Sequence, residues 1–65
     1  MDDATKLTVE IERETAAAYL VHDGNISVWL PKSLIYRIEI LHSPTPEEFR
    51  KITIPEWLAL KKGLI

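Results

Sequence analysis

A 65-residue chain that is 46% hydrophobic and 28% charged, with net charge −2 and no cysteine, has room for one core and no disulfide or thiolate-bound metal to hold it. Such a domain buries only roughly 60% of the surface its unfolded chain exposes, and its core rarely supplies more than about 3–5 kcal/mol, so packing or self-association must carry its stability. No apolar run approaches the roughly 18 residues of a membrane helix, and Met1-Asp2-Asp3 lacks the basic and apolar regions of a secretory signal, so a single cytoplasmic domain over residues 1–65 without membrane contact is expected.

From Lys6 to Glu12 apolar and polar residues alternate strictly, which places Leu7, Val9 and Ile11 on one face of a half-buried strand and Thr8, Glu10 and Glu12 on the other. The triple alanine Ala16-Ala17-Ala18 could open a helix. The stretch is short, however, and runs through Tyr19-Leu20-Val21 into Asp23-Gly24, a hairpin turn whose two central residues must tolerate positive φ. A second strand over 16–22 is therefore expected. Ile26, Val28 and Leu30 alternate with Ser27 and Trp29 in a third strand. Pro31 must end it or hold it at a sheet edge, because proline has no N–H for a ladder.

Pro31 to Leu34 reads as a turn or single 3₁₀ turn, and Ile35 to Leu41 as a fourth strand with Tyr36, Ile38 and Ile40 on one face. Ser43-Pro44-Thr45-Pro46-Glu47-Glu48 reads as a loop, and Phe49 to Ile54 as a fifth short strand. Pro55 then fits the first position of a helix, where its missing N–H costs nothing. Glu56 complements the helix start, Lys61 and Lys62 its end, and Gly63 the left-handed stop. Its face of Trp57, Leu60 or Lys61, and Leu64 would lie across the sheet with Leu58 at its flank. The expected fold is mainly β (α+β): a four- to five-stranded antiparallel meander curled into a barrel or half-barrel, with one short C-terminal helix.

Little in the chain carries reaction chemistry. A metal would need several converging ligands, and the two imidazoles, His22 and His42, lie far apart near strand ends. Glu10, Glu12 and Glu14 alternate as an exposed strand face does. Lys32 beside Ser33 lacks the geometry of a base and nucleophile, and the two glycines build no phosphate loop. Asn25-Ile26-Ser27 matches a glycosylation acceptor, which has no meaning without a secretory route. No enzyme activity, cofactor or metal is expected.

The remaining signal is Val28-Trp29-Leu30-Pro31-Lys32-Ser33. If Val28 and Leu30 are core, Trp29 stands outside with Lys32 nearby and Tyr19 or Arg37 across the sheet, an aromatic beside bases that suits a protein hot spot or a stacked single-stranded nucleic acid. Alternatively the C-terminal helix covers Trp29, which then packs on Trp57.

Together with Ala18-Tyr19-Leu20-Val21, Ile54-Pro55-Glu56-Trp57-Leu58-Ala59 and Lys62-Gly63-Leu64-Ile65, this run resembles a group of short uncharacterised phage and bacterial accessory proteins, some associated with replication or recombination. The resemblance implies a mobile-element origin and transfers no activity or site residue.

Two functions compete on this footing. The first is a non-enzymatic protein-interaction module, such as a phage accessory factor or an inhibitor of a host protein. The second is a small nucleic-acid-binding β-barrel using Trp29, Lys32 and Arg37, with Arg50 and Lys51. Charge argues against the second: residues 1–23 carry six acids and two bases, and residues 24–65 only six bases against four acids. A homodimer joined through a strand edge is a third expectation, motivated by the small core.

Overall fold

The computed structural model describes residues 3–40 and 49–65. Five strands form one sheet: β1 (Ala4–Glu14), β2 (Ala18–His22), β3 (Ser27–Pro31), β4 (Arg37–Ile40) and β5 (Phe49–Pro55). A 3₁₀ turn over Lys32–Leu34 follows β3, and the helix α1 (Glu56–Lys62) follows β5. The expected loop 43–48, together with Leu41 and His42, lies outside the described residues.

The strand order is β3-β2-β1-β5-β4, with every neighbouring pair antiparallel. This corrects the expected meander, because β5 inserts between β1 and β4 and the chain leaving β3 must cross to the opposite edge. It also corrects the barrel, because β3 and β4 do not pair and the sheet stays open.

The crossover nonetheless requires a strong bend. Pro31 sits level with Ala18 beyond the end of β1, and Arg37 level with Lys6 near its start, by way of Thr53. On a flat sheet these points would lie about 30 Å apart, at about 4.8 Å per strand and about 3.3 Å per residue. The five residues between them reach at most about 20 Å. The bend falls in β1, whose first half pairs with β5 and whose second half pairs with β2, the two sharing only Glu10. A bulge between Ile11 and Arg13 lies just beyond that shared residue, where an extra residue bends a strand.

Cross-strand partners share a face, so the pairing sorts the side chains. Leu7 with Ile52, Ile11 with Val21 with Val28, and Tyr19 with Leu30 point to the face that α1 covers. Val9, Val21, Leu30, Ile52 and Ile54 from the sheet, with Leu58, Ala59 and Leu64 from the C-terminal segment, make the core. Leu34 and Ile35 from the crossover pack against it.

Local chemistry explains the connections. Ala16 and Ala17 form a tight turn, so β2 starts at Ala18 where a strand from Ala16 was expected, since the Thr15 N–H donates to the Ala18 carbonyl (2.8 Å) and the Thr15 hydroxyl accepts from the Ala18 N–H (3.1 Å). In the β2–β3 turn only Gly24 takes positive φ (101°), where the sequence implied that Asp23 would as well. Asp23 uses its carboxylate instead, accepting the N–H groups of Asn25 and Ile26, both at 2.8 Å.

The helix is found at its expected position with two corrections. Pro55 is the residue before the first turn and also the last residue of β5, not the first helical residue; its φ of −59° suits either role. The buried face is Leu58 and Ala59, while Trp57 and Leu60 are half exposed. The small Ala59 lets the backbone approach the sheet, and Gly63 (φ 76°) reverses the chain. Its N–H donates to Leu60 and that of Leu64 to Ala59, which folds Leu64 back into the core.

Candidate partner-binding surface

The face of the sheet turned away from α1 carries Arg13, Leu20 and Trp29 in one cross-strand row over β1, β2 and β3. Trp29 is 42% exposed, Arg13 is exposed and Leu20 half-buried between them. Ala18 and Pro31 form the next row towards one end, and Glu10, His22 and Ser27 the next towards the other. Trp29 therefore stands outside the core, and Trp57 belongs to the helix on the other side of the sheet; the alternative of Trp29 packed on Trp57 is not what the fold contains.

A hydrogen-bond chain frames this surface. The Ser27 hydroxyl donates to Glu12, which leaves its oxygen to accept from His22 Nδ1 at 3.0 Å. These contacts join the β1 bulge to the end of the β2–β3 hairpin, with His22 as one of their links. Asp23, one residue on, has its carboxyl held below the ordinary range, chiefly by the N–H groups of Ile26 and Asn25.

The other candidate residues lie elsewhere. Lys32 pairs with the Glu14 carboxylate and sits over the Tyr19 ring, 4.8 Å from its centre. Tyr19 shares its face with Leu30 and packs against the core, so this trio is on the covered side of the sheet, away from Trp29. The 3₁₀ turn after Pro31 carries Lys32 there, which a reading by sequence neighbourhood could not see. Arg37 is on β4 at the far edge, with three strands between it and β3, and lies 3.6 Å from Glu39. Lys51 is on the open face between Thr8 and Glu39, and Arg50 on the covered face between Val9 and Ile40. Trp29, Lys32 with Tyr19, and Arg37 thus occupy three separate places.

Arg13 is the surface residue that sequence reading missed. Strict alternation from Leu7 through Val9 and Ile11 puts position 13 on the core face. The extra residue at Glu12 shifts the register by one, so that Arg13 pairs with Leu20 beside Trp29.

Among the described residues there is no pocket, and no group of three or more His, Asp or Glu is placed to hold a metal ion. No helix among them is long and apolar enough to cross a membrane. No protein-family model, curated protein or solved structure matches the chain.

Proposed function

We propose that the chain is a non-enzymatic protein-interaction module whose partner seats on the open face of β1–β2–β3, with Trp29 as its anchor. The observation that carries this reading is the Arg13–Leu20–Trp29 row, a partly exposed tryptophan and an arginine flanking an aliphatic residue on a formed sheet. Tryptophan and arginine dominate interface hot spots because each offers a large contact area with a directional polar group. The formed sheet spares the backbone beneath them an ordering cost at binding. Such a module suits a phage or mobile-element accessory factor, or an inhibitor of a host protein, acting in the cytoplasm.

The competing nucleic-acid reading draws on Lys6, Arg13, Arg37 and Lys51, which share the face of Trp29. Glu10, Glu12 and Glu39 are interspersed among them, and Lys32 is engaged with Glu14 on the other side. Titrating labelled single- and double-stranded oligonucleotides at about 50 and 200 mM salt separates the two, because phosphate-dominated affinity falls steeply across that range. The protein-interaction reading expects no oligonucleotide binding at either salt. Salt-sensitive micromolar binding that is lost in Trp29→Ala would replace it with the nucleic-acid reading.

A further inference from the structure

We propose that β4 is a homodimer edge, pairing antiparallel with β4 of a second copy about a two-fold axis through Ile38. The argument starts from the hydrogen-bond pattern. The Glu56 N–H donates to the Asp3 carbonyl at 2.8 Å in continuation of the β1–β5 ladder, so the even-numbered residues of β5 direct their backbone groups at β1 and the odd-numbered ones at β4. Arg37 and Glu39, opposite Thr53 and Lys51, are therefore the β4 residues bonded inwards. Ile38 and Ile40 turn their N–H and carbonyl groups to the outer edge, which has no strand partner among the described residues.

The side chains of this edge are complementary to themselves. Tyr36, Ile38 and Ile40 are 54%, 41% and 70% exposed, although Ile38 and Ile40 lie on the sheet face that α1 covers further in. With the axis at Ile38, Ile38 meets Ile38 of the second copy. On the opposite face the same register sets Arg37 against Glu39 of the second copy, and Glu39 against its Arg37. The Tyr36 N–H is already bonded to Thr53, so four main-chain bonds cross the axis: both N–H groups of Ile38, and both of Ile40 to the Tyr36 carbonyls. A register displaced by two residues sets Arg37 against Arg37 in one direction and Glu39 against Glu39 in the other, and so loses the charge pairs. The charges thus select one partner, a second copy of this chain. This edge is the one remote from Trp29, so the proposal stands or falls apart from the partner-binding reading.

Sedimentation of the purified chain from micromolar to millimolar concentration tests it, with charge variants in parallel. The wild type is expected to move from monomer to dimer. Arg37→Glu, which sets glutamate against glutamate twice about the axis, should raise the dimer dissociation constant on the order of tenfold or more. The double variant Arg37→Glu with Glu39→Arg restores both pairs and should restore the dimer, with circular dichroism confirming that every variant is folded. A wild type that stays monomeric to millimolar concentration overturns the proposal, as does a dimer indifferent to Arg37→Glu or one that the double variant fails to rescue.

Discussion

Making the same truncation at Leu58 and at Leu60 measures which face of α1 holds the helix on the sheet. Leu58 is 2% exposed in the core cluster, whereas Leu60 is 57% exposed. Leu58→Ala removes buried carbon atoms and leaves a cavity, at a cost of about 2–5 kcal/mol. A core of this size supplies only about 3–5 kcal/mol, so that variant should be largely unfolded or barely stable. At Leu60 more than half of the side chain stays in water in the folded state and alanine is the better helix former. The cost should therefore stay below about 1 kcal/mol, a shift of at most about 8 °C in Tm. Trp57→Ala, with half of its ring in water, should cost about 1–2 kcal/mol, below the roughly 3–5 kcal/mol of a buried ring. Urea unfolding followed by far-UV circular dichroism gives all three values. Equal losses at Leu58 and Leu60 would refute the assignment of the buried face.

Three further outcomes follow from the turns and the surface. Because the folded-state pKa of Asp23 is lowered, its contribution is fully present above the ordinary carboxylate pKa and is lost as pH falls through the lowered folded value. Asp23→Asn should flatten the acid side of a plot of urea midpoint against pH from about 7 to 3, and an unchanged slope would contradict the role given to this turn. Gly63→Ala should cost about 1–2 kcal/mol from its φ of 76° alone, since the added carbon would meet only Ile26 Cδ1 at an ordinary 3.5 Å; a neutral result in the same unfolding assay would refute this. Lys32→Ala should cost less than about 1 kcal/mol, because its pair with Glu14 is solvent-exposed. It should also leave partner capture intact, and loss of capture would move the binding surface to the other side of the sheet.

The strands were legible where a single local rule governs them. Alternation located β1, Pro31 marked an edge strand, and Pro55, Lys61, Lys62 and Gly63 bracketed the helix. What depended on more than one element was not legible. The insertion of β5 between β1 and β4 has no local signature, since adjacent strands carry the same alternation in a meander and in this order. The bulge at Glu12 sits in a run that reads as unbroken, and it alone puts Arg13 beside Trp29. The helix face went to Leu58 and Ala59 because the exit of Pro55 from the sheet sets the orientation of a seven-residue helix, and Trp57 with Leu60 offered an equally regular stripe. Lys32 looked like a neighbour of Trp29 until the 3₁₀ turn carried it to Tyr19 and Glu14.

The central claim is that Trp29 is a protein-binding anchor on the open face of the sheet. Replacing it with a photo-crosslinking phenylalanine analogue, and Lys61 on the outside of α1 in a control, tests that claim directly in lysate of the cell that makes the protein. The account predicts a discrete protein adduct from position 29 and none from position 61. Adducts to nucleic acid, or the same protein adducts from both positions, would contradict it.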